Sequence, residues 1–263
     1  MLDQITPLIL TYNEAPNIKR CLDKLTWANR IVVIDSFSND ETLEILSQFP
    51  QVEVYQRQFD HFAWQCNYGL ELVNTEWVLS LDADYVLSDR LIQDLQTLDI
   101  GADNTVNSYF AKFAYCVFGR PLRGTILPAR KVLYRQNLAK YIEDGHAHRV
   151  EVTGQSGYLS GHIYHDDRKP LSRWLQSQDK YLIIESQKLI NTPSDQLSFG
   201  DRLRKQKVIA PFAILIYCLI LKGGIFDGWS GWYYAWQRML AEILLAIRVI
   251  ELEHQNQMTK RLN

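Results

Sequence analysis

The segment Asp82-Ala83-Asp84 offers the clearest chemistry in the chain. Aspartates two apart at the end of an extended run face one side of a sheet, where hard carboxylate oxygens suit Mg2+ or Mn2+ held against a diphosphate. Among 18 aspartates such a pair is expected about once by chance, and a solvated turn or helix cap is its ordinary use. Position favours the metal, because the pair directly follows the apolar run Trp77–Leu81. Asp35 likewise ends Ile31-Val-Val-Ile34. Its carboxylate suits a pyrimidine N–H or a ribose hydroxyl, or else belongs with Ser38 and Asp40 to the start of the next helix, with Ser38 the expected cap. Two further polar clusters are Tyr141-Ile-Glu-Asp-Gly-His-Ala-His148, which gathers Glu143, Asp144, His146 and His148, and Gly161-His-Ile-Tyr-His-Asp-Asp-Arg168. Asp144-Gly145 also reads as a turn dipeptide. Arg168, Lys169 and Arg173 either neutralise an anion or form a solvated helix face.

These groups need elements to carry them. Thr6–Leu10, Ile31–Ile34, Val52–Tyr55 and Trp77–Leu81 read as strands. Between them lie amphipathic stretches such as Ile18, Cys21, Leu22 and Leu25, which recur at i, i+3, i+4 and i+7. Strand and helix alternating at this spacing predict βαβ units on a parallel sheet, whose ligands bind beyond the carboxyl ends of the strands. Residues 11–14, 35–40 and 82–84 occupy those ends and are polar and acidic. From Ser108 to about Tyr164 the texture changes to extended pieces broken by Gly119, Pro121, Gly124 and Pro128, read as antiparallel strands completing the sheet. Helices are expected over Lys169–Ile190 and from about Trp229 to Glu253.

Composition narrows the function. With 28 Lys plus Arg against 30 Asp plus Glu, the net charge of −2 argues against nucleic acid as a partner. Cys21, Cys66, Cys116 and Cys218 form no CxxC pair, so reduced buried thiols are expected rather than zinc or disulfides. The first residues lack the basic and apolar regions of a signal peptide. The uncharged apolar stretch Val208–Leu221 has 14 residues and contains Pro211, too few to span a bilayer. Four of the seven residues Asp201–Lys207 are basic, and Trp229, Trp232, Tyr233 and Trp236 follow at helical spacing. A cationic segment beside an apolar helix and a tryptophan cluster suits an anionic leaflet; the alternative is that these helices cover the sheet as core.

The ordered set Thr11-Tyr-Asn-Glu14, Asp35-Ser-Phe-Ser-Asn-Asp-Glu-Thr42, Gln65-Cys-Asn67 and Leu81-Asp-Ala-Asp84 resembles the family 2 glycosyltransferases, and within them the branch of lipopolysaccharide-core β-1,4-glucosyltransferases. Lys222-Gly-Gly-Ile-Phe-Asp-Gly228 is similar to that branch's K-x-G-F-x-D-G turn. The resemblance implies an α/β, GT-A fold: a Rossmann-like, mostly parallel sheet with helices on both faces. The resemblance covers about residues 4–165 well and the carboxyl end more loosely; with the cationic and tryptophan-rich segments it gives an expected domain over 1–195, with a nucleotide-sugar half (1–105) and an acceptor half (106–195), and a helical, membrane-associating segment over 196–263. It implies a nucleotide pocket lined by Thr11, Asn13, Glu14 and Asp35, Asn67 near the diphosphate or ribose, and Asp82 and Asp84 on Mg2+ or Mn2+, with His165 completing the metal shell. Inversion requires a base on the face of the sugar opposite the diphosphate. An acidic pair here resembles the family's base, with Asp144 preferred and Glu143 second. The chain departs from the branch at Tyr85, where an acid is usual, and at Ala147-His-Arg149, where V-H-E is usual. The expected partners are a nucleoside diphosphate sugar, a lipid-linked or saccharide acceptor and a membrane surface, with the protein cytoplasmic and peripheral on the inner face. A sugar-phosphate nucleotidyltransferase would want a glycine-rich basic loop where Tyr12-Asn-Glu-Ala-Pro16 stands, and a membrane-recruited scaffold without turnover is the non-enzymatic rival.

Overall fold

A computed structural model describes residues 2–98, 105–144 and 147–262, and their side chains except 143, 144, 147, 148 and 260–262. The chain divides into two compact units, residues 1–121 with 127–168, and residues 122–126 with 169–263.

The first unit begins β1 (Ile5–Thr11), α1 (Ile18–Asp23), β2 (Ile31–Asp35), α2 (Thr42–Leu46), β3 (Val52–Gln56), α3 (Phe62–Leu72), β4 (Trp77–Asp82), β5 (Tyr85–Leu87) and α4 (Asp89–Thr97). It continues with β6 (Val106–Val117), β7 (Arg120–Pro121), β8 (Arg130–Arg135), β9 (Ala139–Asp144), β10 (Ala147–Val152) and β11 (Gln155–His165). The main sheet runs β3-β2-β1-β4-β8-β6-β11-β5, with β7 paired to β6. Its first four strands are parallel. This is the α/β, GT-A type of arrangement the motifs imply. Both faces are covered, which is why β1 and β2 are continuous apolar runs. Ile9, Val33 and Leu79 pack with Ile18 and Leu22 of α1 and with Leu91 and Leu95 of α4. On the other face Leu8, Val32 and Val78 meet Ala63, Cys66 and Leu70 of α3. All four cysteines are buried and unpaired.

The region after Ser108 is mixed rather than uniformly antiparallel. Strand β8 is antiparallel to β4 and β6, yet β11 runs parallel to β6, and β9 and β10 form a separate two-stranded sheet.

The second unit holds α5 (Leu171–Asn191), α6 (Phe199–Lys205), α7 (Ile209–Ile216) and α8 (Trp229–Leu262). Helix α7 runs on through a π-helical turn over Tyr217–Leu221. The unit has its own core, where Leu182 and Leu189 of α5 meet Leu245 and Val249 of α8 around Leu197. That packing moves the boundary from the expected 195 to 168, because α5 shares the core of α8. Gly124 joins the same unit: a Cβ there would meet the Lys222 backbone. Among the described residues no helix is long and apolar enough to cross a membrane.

Candidate active site

Thr11 and Asp35 are the last residues of neighbouring parallel strands and stand in register. The Thr11 hydroxyl donates to Asp35 Oδ1 at 3.0 Å, the Ser38 hydroxyl to the same oxygen at 2.5 Å, and the Ser38 N–H to Oδ2 at 2.9 Å. Gln56 Nε2 reaches Oδ2 at 3.4 Å. A carboxylate offers about four acceptor positions, so the wholly buried Asp35 (0% exposed) is satisfied from within the protein. Ser38 does not cap α2 as expected. Asp40 receives the Thr42 N–H at 3.0 Å instead, leaving Ser38 to Asp35 and to the Asn13 N–H at 2.9 Å. Asn13 sits at φ 55°, a left-handed conformation that Asn tolerates, and its Oδ1 accepts the Asn39 N–H at 2.9 Å. The Glu14 N–H donates to Thr42 Oγ1 at 2.8 Å, and its carboxylate accepts from Asn17 at 2.9 Å. The four expected pocket residues are thus brought together by two interlocked loops. Tyr12 and Phe37, exposed on those loops, went unnoticed in the sequence; their flat rings suit base stacking.

Asp82 ends β4, and Ala83-Asp84 turns into β5 rather than continuing the strand, so strand alternation does not orient the pair. Pairing of β5 with β11 sets His165 opposite Tyr85. That register brings His165 Nε2 to 3.0 Å from Asp84 Oδ2. Burial alone would lower the imidazole pKa, but the charge and hydrogen bond of Asp84, with Asp82 and Asp167, raise it above 6.5. The rings of Tyr85 and Tyr115 flank it with centroids 5.4 and 5.1 Å away. Tyr85, in place of the usual acid, hydrogen-bonds Asp82, and burial first, then the charges of Asp82 and Asp84, push its pKa well above 10.0.

Among the described residues no three His, Cys, Asp or Glu side chains gather as a metal-binding group. The donors present nonetheless fit a hard cation shared with a substrate. Mg2+ keeps several waters and takes one or two carboxylates plus phosphate oxygens, with bonds of about 2.1 Å, so neighbouring ligands lie about 3 Å apart. The hydrogen-bonded Asp84–His165 separation of 3.0 Å matches that spacing, and among the described residues no group hydrogen-bonds the buried His165 Nδ1.

Two guanidinium groups converge next to this pair. Arg20 donates to Asp166 Oδ2 at 2.5 Å and to its carbonyl at 2.8 Å, while Arg168 Nε meets the same Oδ2 at 3.0 Å. The Gly119 N–H completes Asp166 at 2.9 Å, and the Asp166 N–H donates to the Asp84 carbonyl at 3.1 Å. Burial and the neighbouring Arg168 lower the pKa of Arg20 against the pull of Asp166. The Arg168 side chain remains 41% exposed. Arg20, an ordinary helix-face residue by sequence, escaped notice; Lys169 and Arg173 belong to the second unit.

Asn67 is hydrogen-bonded to β9. Its Nδ2 donates to the Tyr141 carbonyl at 3.0 Å and its Oδ1 accepts the Tyr141 N–H at 2.9 Å, which fastens β9 to α3. The Tyr141 hydroxyl lies 2.7 Å from that of Ser80 and 2.8 Å from that of Tyr134. Strand β9 ends at Glu143 and Asp144, which stand opposite His148 and Ala147 of β10. The side chains of Glu143 and Asp144, the expected bases, lie outside the described residues, as does His146.

The chain is similar to several glycosyltransferases. Glycosyltransferase SunS from the SPbeta prophage of Bacillus subtilis is 38% identical over 87 residues, which cover 32% of this chain and 21% of SunS, so the chain spans about a fifth of that relative. Lipopolysaccharide core biosynthesis glycosyltransferase LpsC of Rhizobium meliloti is 21% identical over 259 residues, covering 94% of this chain and 92% of LpsC. A crystal structure of S. aureus TarS in complex with UDP-GlcNAc superposes with a TM-score of 0.49 at 15% identity, covering 91% of this chain and 81% of that one. The profile of glycosyl transferase family 2 matches residues 8–149, more than half of the sequence and the whole stretch that carries the four motifs, and the chain belongs to that family.

Proposed function

We propose that the protein is an inverting, metal-dependent glycosyltransferase. It moves a sugar from a nucleoside diphosphate sugar, UDP-linked by preference, to a lipid-linked saccharide or lipid acceptor in cell-envelope glycan synthesis, working peripherally at the inner face of a membrane. The observation that carries the reading is the Asp84–His165 pair with the Arg20–Asp166–Arg168 cluster beside it. Likeness to LpsC over nearly the whole chain supports a saccharide acceptor of the cell envelope.

Asp84 and His165, with Asp82, would hold Mg2+ or Mn2+, which when bound would supply positive charge against that developing on the departing diphosphate. Arg168, fixed by Asp166 but open to solvent, adds donors for the same oxygens. The loops carrying Thr11, Asn13, Glu14 and Asp35 would wall the nucleoside, with Tyr12 or Phe37 against the base. Asp144, or Glu143 beside it, would take the acceptor hydroxyl proton as that oxygen attacks the anomeric carbon. Asn67 contributes from behind, through the strand that bears this acid.

Release of nucleoside diphosphate from a panel of nucleotide sugars with Mn2+ tests the reading. Turnover should stop with EDTA and fall roughly 100-fold or more in Asp84→Asn. Wild-type turnover that persists in both cases would sink the metal role. A second reading, a scaffold of the same fold without turnover, draws on Asp35, whose acceptor positions are already filled. Donor binding by calorimetry with no turnover of any donor would favour it.

A further inference from the structure

The second unit presents an apolar stripe that its own core leaves uncovered. Along α7 and the π turn, Ala210, Pro211, Cys218 and Leu219 face inward, while Val208 (70% exposed), Phe212, Ile216 and Ile220 recur every fourth residue on the outside. Phe226 (73% exposed) and Trp229 carry the same character into α8. The 13 residues Ile209–Leu221 form a rod of about 20 Å, shorter than the roughly 30 Å of bilayer hydrocarbon. Such a rod lies along an interface rather than through it.

Charge identifies the occupant. Residues 202–226 contain five Lys and Arg and no Asp or Glu. Three of these cations are engaged inside the unit, Arg204 with Glu242 at 2.8 Å, Lys207 with Glu253 at 2.5 Å and Lys205 with the Thr192 carbonyl at 3.4 Å. The basic cluster expected to face a membrane is therefore smaller than its sequence count. Arg202 is exposed, and Lys222 lies over the Tyr217 ring at 5.5 Å, at the end of the stripe. A second copy of the chain would set Arg202 and Lys222 against their own counterparts, since a twofold interface uses the same surface on both sides and Asp227, between Phe226 and Trp229, is held by Arg123 at 3.3 Å. Anionic headgroups above an apolar layer complement the patch.

We infer that the stripe is a bilayer-docking surface, inserted by Phe212, Ile216, Ile220 and Phe226 and assisted at its margin by Arg202 and Lys222. The inference deepens the membrane part of the proposed function and rests on it; the transfer chemistry is separate. Insertion of apolar side chains, each contributing roughly tenfold in partitioning, outweighs the charge contribution.

The test is co-sedimentation of the full chain with vesicles of phosphatidylcholine alone and with added phosphatidylglycerol. Wild type should bind both and the anionic vesicles more tightly. Phe212→Ser/Phe226→Ser should weaken binding to both by roughly 100-fold. Arg202→Gln/Lys222→Gln should abolish only the preference for anionic lipid. Circular dichroism and thermal melting establish that the variants fold, and Phe226→Ser alone, on an exposed turn, is the fallback should the double variant not. Nucleoside diphosphate release with a water-soluble acceptor should be unchanged in all of them, which separates failure of docking from failure of the transfer reading. Absence of wild-type binding to either vesicle, unchanged binding by the folded serine variants, or a lipid-free dimer that these substitutions dissociate would overturn the inference.

Discussion

Asn67 illustrates how far a residue type carries and where it stops. Its amide, in Gln65-Cys-Asn67, suits a diphosphate or ribose by its chemistry. In the fold both halves of that amide close on the backbone of Tyr141, 74 positions away. Nothing in the spacing names that partner, because β9 and β10 form a sheet of their own, anchored by this clamp and by the Tyr141 hydroxyl. Asp84 and His165 are the opposite case. Both are picked out by type and position, and the β5–β11 register joins them. Asn67→Ala should cost about 2–3 kcal/mol in urea unfolding, two part-buried bonds from its side-chain amide to the backbone being lost. It should lower kcat through the displaced β9 and leave the donor KM within about twofold. A tenfold rise in donor KM with unchanged stability would instead return Asn67 to direct contact with the nucleotide.

The loops after β1 and β2 act as one clasp, and Asp40 is its fastener. It accepts from the Ala15 N–H at 3.2 Å across the two loops, and from Thr42 N–H and Oγ1 at 3.0 and 2.5 Å. Burial raises its pKa, but the bonds from Thr42 and Ala15 outweigh this and hold it below the ordinary 3.8. An acid depressed in the folded state stabilises the fold fully above its unfolded pKa and loses that contribution as pH falls through the lower, folded value. Asp40→Ala should therefore cost about 1–2 kcal/mol at pH 7. The gap from wild type should narrow as pH drops below about 4. Urea titrations across that range check both statements, and a gap that stays constant to pH 2.5 would show that the charge of Asp40 contributes nothing. The capping pattern in the sequence anticipated a helix here but set its start at Ser38, whereas α2 begins at Thr42. It named Ser38 because the competing demands of Asp35 and Asn13 on that hydroxyl come from neighbouring strands and loops, invisible to local spacing.

The two units have separate cores, one around the parallel strands and one where α5 meets α8. The periodic leucines of α5 are legible as a helix, but periodicity cannot say which core a helix joins, so the expected boundary at 195 falls on the wrong side of α5. Cores that close independently should melt independently, giving two calorimetric transitions rather than one. Gly231 allows the second to be addressed alone. It lies in the first turn of α8 against the backbone of Gly224, and a Cβ there would collide with that backbone, which cannot swing aside as a side chain would. Gly231→Ala should destabilise the second unit by about 3 kcal/mol, an overpacking cost with little relaxation open to it. Only the transition of the helical unit should shift, and limited proteolysis should reach α7 and α8 sooner while β1–β4 remain protected. Equal displacement of both transitions, or a single transition in wild type, would mean that the chain unfolds as one cooperative body despite its two cores.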